Sequence, residues 1–261
     1  MFLESRENIY SDNGEDGVLK CIAEQLGIDD GGTCCEFGAW DGKHSSNTFN
    51  LVKEKKWKAL YIEGDEAKYK DLLATQKEHP TITAVCAYVS PTNLDGLILD
   101  HGFPEDLDIL SIDVDSIDYE IWKGLQKVRP KIVIIEPSNA TPSWEKCTHY
   151  EGKGASPHLI KELAKQKGYR FLCTTGNLFF MRDDLDLTPE DNIDFPWWLE
   201  PKYKRLIQEI AASPELYDVV VKRVKEGNSP WDIKEDHVED FFTDIMNYVR
   251  GYQLGYKGTV P

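Results

Sequence analysis

A tight turn that carries glycine and two carboxylates lies near the start of the chain, at residues 36–42. Gly38 gives the backbone torsions that other residues avoid and lets a ligand approach it closely. Glu36 and Asp41 stand where a dinucleotide would need bare backbone amides for its pyrophosphate, so they disfavour that ligand. They attract instead the ammonium and sulfonium charges of S-adenosylmethionine (SAM). The alternative is a structural turn that Asp41 caps.

A further acid, Glu63, ends the apolar run 59–62 one helix downstream and is followed by Gly64. The position indicates the tip of the second strand of a sheet. One carboxylate can accept hydrogen bonds from both hydroxyls of a ribose. Glu63 therefore predicts a cofactor that contains adenosine.

More acids follow two later apolar runs. Asp113 and Asp115 come at the end of the run 107–113, and Glu136 ends the run 131–136. In an open parallel sheet, ligands bind beyond the carboxyl ends of the strands, so these carboxylates converge and require a cation: a sulfonium, a substrate amine or a divalent metal. We predict Asp113, Asp115, Glu136 and His149 as catalytic candidates, with Asp113 or His149 as the general base.

Two alternatives remain open for these acids. A magnesium ion held by Asp113, Asp115 and Glu136 would orient two substrate hydroxyls and lower the pKa of one. Alternatively, Asp113 and Asp118 cap the helix that follows, where acids are favoured.

Strands and helices alternate regularly, which predicts an α/β fold with a Rossmann-like, doubly wound and mostly parallel sheet. The last two strands, 168–173 and 178–181, are joined by a turn too short for a crossover helix and so form an antiparallel hairpin. That ending is typical of SAM-dependent methyltransferases, whereas a dinucleotide-binding sheet ends parallel. We predict a methyltransferase domain at residues 1–185 and a helical C-terminal extension, a lid, interface or packing element, at residues 186–261.

Composition narrows the classes of partner. The 261 residues carry 30 basic and 46 acidic side chains, a net charge of −16, which opposes binding to nucleic acid. No apolar run approaches the ~20 residues that span a bilayer, and the start lacks a signal peptide's apolar stretch. Six cysteines without C-x-x-C spacing favour a reducing, cytoplasmic setting. Cys34 and Cys35 should face opposite sides of their strand as buried apolar residues.

The order and spacing of these motifs resemble the FkbM-like class I methyltransferases over residues 10–182. The matching segments are 13–17, 36–42, 46–48, 62–65, 110–115, 118–119, 121–123, 129–130 and 154–156. Ser116 and His44 depart from the pattern, where glycine and an apolar residue are expected. Family members mostly methylate oxygen, often on sugars or polyketide-like scaffolds.

The resemblance implies a set of cofactor contacts along the strand ends. Glu63 would bind the ribose, and Gly38 would lie beneath the methionine part. The remaining cofactor candidates are Asp41, Ser46 and Asn47 at the amino-acid end, Ala87 and Tyr88 beside the adenine, and Glu36, Gly64 and Asp113.

We therefore predict a SAM-dependent methyltransferase that modifies a small polar acceptor, a sugar or glycan-precursor hydroxyl first. N- or carboxyl-methylation of a small metabolite and a non-catalytic SAM-binding scaffold are the alternatives, and an NAD-dependent oxidoreductase comes last. We expect a small-molecule or glycan acceptor, no nucleic acid or membrane partner, and homo-oligomers, if any, through the C-terminal helices.

Overall fold

A single seven-stranded sheet organises the chain. The computed structural model describes residues 2–28, 30–114, 116–137 and 154–188. Its strands run in the order β3-β2-β1-β4-β5-β7-β6. They are β1 (Thr33–Phe37), β2 (Lys58–Glu63), β3 (Ile82–Cys86), β4 (Ile109–Ile112), β5 (Ile132–Ile135), β6 (Tyr169–Thr174) and β7 (Leu178–Arg182). The first five are parallel, while β7 pairs antiparallel with both β5 and β6, so the predicted terminal hairpin is confirmed.

Helices cover both faces of the sheet. They are α1 (Glu15–Gln25), α2 (Phe49–Lys55), α3 (Glu66–Glu78), α4 (Leu94–Asp100), α5 (Asp118–Gly124) and α6 (Pro157–Gln166), preceded by a 3₁₀ turn at Phe2–Ser5. Buried side chains of α1 to α3 pack into one core, and those of α4 to α6 into the other. This arrangement confirms the doubly wound α/β prediction.

Cys34 and Cys35 show how the sheet divides the two cores. Both are fully buried, yet Cys34 belongs to the core beneath α1 to α3 and Cys35 to the core beneath α4 to α6. Neighbouring residues of a strand point to opposite faces, as the sequence analysis expected. Burial raises the pKa of both thiols, so they pack as small apolar groups.

Local sequence explains where the helices begin. The Asp65 carboxylate accepts the N–H groups of Ala67 and Lys68 at 2.7 and 3.1 Å and caps α3. Ser156 caps α6 in the same way, and Pro157 occupies its first turn, where a missing N–H costs nothing.

Two elements differ from the sequence expectation. The helix α4 was not predicted, since its seven residues include Gly96 and follow a polar turn that masks the pattern. The sequence favours a third strand at residues 82–89, whereas β3 ends at Cys86, and the Ala87 N–H makes the last bond to the neighbouring strand, to the Glu63 carbonyl. Tyr88 therefore lies in the connection after the strand.

The order of strands places a crevice between β1 and β4. From β1 the chain proceeds outward to β2 and β3, and then crosses back to β4 on the other side. The connections that follow β1 and β4 lead to opposite sides of the sheet, so the carboxyl ends of these two adjacent strands leave room between them for a ligand. The ends of β1 and β4 are therefore where the fold itself offers a binding site.

Some predictions fall outside the described residues. The helical extension belongs to this group, because its residues 189–261 are not described. Within the described part of the chain, no helix combines the length and apolar character needed to cross a membrane.

Candidate functional site

The turn after β1 approaches β4 so closely that only glycine fits. Gly38 has a φ of +71°, and a Cβ added to it would lie 2.8 Å from the Asp113 carbonyl oxygen. Both the left-handed backbone and the contact exclude a side chain. Because Gly38 is exposed, bare backbone faces solvent at the crevice between β1 and β4. The fold thus brings together Gly38 and Asp113, two of the cofactor candidates.

Glu63 holds the turn and the tip of β2 together. Its Oε2 accepts the Trp40 N–H at 2.8 Å, and its Oε1 accepts the Asp65 N–H at 2.7 Å. The side chain is only 6% exposed, so its orientation is fixed. A carboxylate has about four acceptor positions, and two remain available for a diol.

Tyr88 lies beside this carboxylate. A Cβ on Gly64 would come within 2.4 Å of the Tyr88 ring, so the ring packs directly over that glycine. Tyr88 is nevertheless 78% exposed, and the adjacent Ala87 is bonded to the Glu63 carbonyl. The structure therefore brings Glu63, Gly64, Ala87 and Tyr88 into one patch with an open aromatic face.

Glu36 organises the segment that follows the turn. One of its oxygens accepts Ser46 Oγ at 3.1 Å, the Thr48 N–H at 3.0 Å and Thr48 Oγ1 at 2.6 Å. The Tyr61 hydroxyl extends this network, 3.0 Å from Thr48 Oγ1. Burial is the largest influence on the Glu36 carboxyl and raises its pKa, although these hydrogen bonds oppose the rise. The carboxylate thus contacts buried protein groups.

The segment held by Glu36 reaches across to β4. Asn47 Nδ2 donates to Ser111 Oγ at 3.0 Å, and both residues are buried. Asp41 has a local role, since its Oδ1 accepts the N–H groups of Lys43 and His44 at 2.9 and 2.8 Å. Asp41 therefore caps the turn, which is the structural alternative for this residue.

The acids of β4 and β5 stand at neighbouring strand ends. Ile112 pairs with Ile135, so Asp113 and Glu136 occupy the next positions of adjacent strands, and both are half-buried. Asp118 has a different role, because its two oxygens accept the N–H groups of Val114 and Ser116 at 2.8 and 3.0 Å. These bonds hold the loop before α5 rather than cap that helix, whose N-cap position, Ile117, makes no side-chain cap, so the capping alternative is wrong for Asp118.

Two of the catalytic candidates, Asp115 and His149, lie outside the described residues. Within residues 2–28, 30–114, 116–137 and 154–188, no three side chains of His, Cys, Asp and Glu group together as metal ligands. The magnesium alternative needs Asp115 as its third ligand, so it stays a prediction.

Sequence reasoning missed the groups that orient the predicted site residues. Ser111 and Tyr61 carry polar atoms within otherwise apolar strands, a signal that each needs a buried partner. Thr48 and the backbone N–H of Trp40 gave no such signal. Their partners, Glu36 and Glu63, are distant in sequence, and only the folded turn brings them together.

Comparison with known proteins relates the chain to a family of methyltransferases. The family model described as the methyltransferase FkbM domain matches residues 42–171. No curated protein matches the chain.

Several solved structures are similar in fold at low identity. Streptococcus pneumoniae Sp1610, proposed to be a tRNA (m1A22) methyltransferase, is 15% identical with a TM-score of 0.46, over 88% of this chain and 97% of that one. TrmK of M. capricolum, solved with S-adenosyl-homocysteine, is 13% identical with a TM-score of 0.46, over 88% and 96%. The CurJ carbon methyltransferase is 10% identical with a TM-score of 0.47, over 66% and 55%. The substrates in these names are those of the proteins concerned.

Proposed function

Because this chain belongs to the FkbM family of SAM-dependent methyltransferases, we propose that it transfers a methyl group from SAM to a hydroxyl of a small polar acceptor. The acceptor class proposed first is a sugar or glycan precursor. The observation that carries the proposal is the fixed carboxylate of Glu63, next to exposed Tyr88 and one short turn from Gly38. These groups match the ribose, the adenine and the methionine part of the cofactor.

Different residues would contact the ribose, the adenine and the methionine part of the cofactor. Glu63 accepts the two ribose hydroxyls with the lone pairs that Trp40 and Asp65 leave available. Tyr88 offers its open ring to the adenine beside Ala87, and Gly64 leaves room for that ring. At the other end, Gly38 allows close approach to the methionine part.

Ser46, Asn47 and Asp41 line the approach to the amino-acid end of the cofactor. Glu36 acts on that end by holding the loop of Ser46 to Thr48, through its bonds to both side chains. We retain Glu36 and Asp41 among the cofactor candidates because their charge still favours an ammonium group nearby.

SAM supplies the methyl group on a positively charged sulfur. The enzyme's own contribution is alignment: the backbone at Gly38 and the acids at the ends of β4 and β5 hold the acceptor oxygen in line with the methyl group. Asp113 accepts the hydroxyl proton as the new O–C bond forms and the S–C bond breaks. Glu136, at the adjacent strand end, hydrogen-bonds a second acceptor hydroxyl. Asp115 and His149 remain proposed as further catalytic groups.

A substitution at Asp113 tests the catalytic role apart from binding. Asp113→Asn keeps the size of the side chain but removes the base. We expect it to abolish methyl transfer while S-adenosylhomocysteine (SAH), the demethylated product of SAM, binds with nearly unchanged affinity. Turnover is measured by mass spectrometry over a panel of acceptors that starts with sugars and includes amines and carboxylic acids. Turnover that survives the substitution would refute the role of Asp113.

The same panel separates the alternatives. Methylation of an amine or a carboxylate alone would replace the O-methylation proposal. SAH binding without turnover of any acceptor would favour the non-catalytic SAM-binding scaffold.

We place the protein in the cytoplasm, since its described cysteines are free thiols, as a reducing compartment would keep them.

A further inference from the structure

The segment that precedes α1 is fixed by one buried carboxylate. We call residues 7–16 the N-terminal strap. Asp16 Oδ2 accepts the N–H groups of three consecutive residues, Ile9, Tyr10 and Ser11, at 2.7 to 2.8 Å, and also the Ser11 hydroxyl at 2.8 Å. Asp16 is 1% exposed, and these four donors stabilise the charge on Oδ2, whereas the buried Oδ1 accepts no hydrogen bond from the described residues. The strap therefore has one defined conformation.

Two glycines allow the strap and the residues before it to lie directly on α1. A Cβ on Gly17 would be 1.7 Å from the Ser5 carbonyl oxygen, and one on Gly14 would be 2.7 Å from the Arg6 side chain. Backbone cannot yield at the first contact, so Gly17 is required there. Residues 13–17, one of the segments that carry the family resemblance, thus allow the strap to pack against α1.

The strap is anchored at both of its sides along the carboxyl edge of the sheet. On one side the Tyr10 ring packs edge-on against Phe49 at the start of α2, with ring centres 4.7 Å apart. On the other side the Thr175 hydroxyl, in the β6–β7 turn, donates to Glu15 Oε1 at 2.5 Å. The ends of β4 and β5, with Asp113 and Glu136, lie between these anchors in the order of the strands.

The strap presents one apolar side chain to solvent. Ile9 is 46% exposed, and the other large apolar side chains that the described residues expose, Trp40 and Tyr88, follow β1 and β3 at the same edge. All three belong to the edge of the sheet at which the fold offers a binding site. The bond from its backbone N–H to Asp16 fixes the place of Ile9 on the strap.

From this geometry we infer that the strap forms a wall of the acceptor site and that Ile9 determines specificity by contacting an apolar group attached to the acceptor sugar. The inference rests on the proposed function. The acceptor is then a glycoside whose hydroxyl faces Asp113 while its apolar substituent lies against Ile9. Tyr10, through Phe49, ties this wall to the loop held by Glu36.

Ile9→Ser tests this contact without loosening the strap, since the bond to Asp16 uses the backbone. Asp12→Ser, an exposed position of the same strap, is the matched control. Wild type and both variants, saturated with SAH, are titrated with octyl β-D-glucopyranoside and with methyl β-D-glucopyranoside by ligand-observed NMR. The two probes share the sugar and differ in the apolar substituent.

We expect Ile9→Ser to weaken binding of the octyl glycoside about fivefold to tenfold, the value of one partly buried side chain. The methyl glycoside should be unaffected, and Asp12→Ser should change neither affinity. Equal affinities of Ile9→Ser and wild type for the octyl probe would overturn the inference. So would a wild-type protein that binds SAH but neither glycoside, or a loss of self-association in Ile9→Ser that leaves the octyl affinity intact. Failure of wild type to bind SAH would instead overturn the proposed function.

Discussion

Replacing Glu63 by glutamine removes one charge and one acceptor from the proposed ribose site with almost no change in shape. The carboxylate accepts the Trp40 N–H with one oxygen and the Asp65 N–H with the other. Glutamine has a single acceptor oxygen, so its NH₂ group must face one of these donors. A donor left without an acceptor at a site this buried costs about 1–3 kcal/mol of folding free energy.

Cofactor binding should suffer as well. In the proposed complex each ribose hydroxyl donates to a charged oxygen of Glu63, whereas glutamine offers one neutral acceptor. Exchanging charge-assisted bonds for neutral ones costs roughly 1.5–3 kcal/mol in total, which corresponds to about 10- to 140-fold in affinity. The folding cost corresponds to a fall in Tm of roughly 2–12 °C for a domain of this size.

The assay is a calorimetric titration with SAH, paired with thermal unfolding in the absence of ligand. Glu66→Gln is the matched control: Glu66 is exposed in the first turn of α3 and carries the same charge. We expect that control to bind SAH as wild type does. If Glu63→Gln also binds SAH within twofold of wild type, Glu63 does not hold the ribose and the reasoning is refuted.

Two further predictions concern the turn and its support. Gly38→Ala should destabilise the protein more than Gly102→Ala. Both glycines have a positive φ, which costs an alanine about 1 kcal/mol. A Cβ at Gly38 also meets the Asp113 carbonyl oxygen, whereas a Cβ at Gly102 meets nothing within 4 Å. Equal losses in urea unfolding would show that the close approach is absent. Burial raises the folded-state pKa of Glu36, so the folded protein holds a proton that the unfolded chain releases at pH ~4.3. The free energy of unfolding should therefore fall as the pH rises from about 4.3 through the raised pKa. Glu36→Gln removes the titrating group and should flatten this dependence. An unchanged pH profile of unfolding in that variant would contradict the assignment.

The fold followed from local signals in the sequence, because most strands and their partner helices can be identified within a few residues. The short connection of residues 175–177 specified the antiparallel hairpin, and the adjacent Cys34 and Cys35 specified a strand buried on both faces. The sequence did not indicate the helix α4, because this helix is short and contains a glycine.

The sequence indicated which acids lie near the strand ends, but not which groups each acid contacts. Glu36, Asp41 and Asp118 were all identified as acids near the strand ends, which the fold confirms. Their partners decide what they do, and those partners come from folded turns: Thr48 for Glu36, the backbone of His44 for Asp41 and that of Val114 for Asp118. A sequence shows which carboxylates reach the edge of the sheet, but the turns determine which of them remain available to a ligand.

The most direct test of the central claim is a calorimetric titration of the wild-type protein with SAH and, separately, with NAD, each with and without magnesium. We expect micromolar binding of SAH and no binding of NAD, with the SAH affinity independent of magnesium, since every proposed cofactor contact is made by protein groups. Failure to bind SAH would contradict the proposed cofactor site and leave the carboxyl edge of this sheet with another ligand.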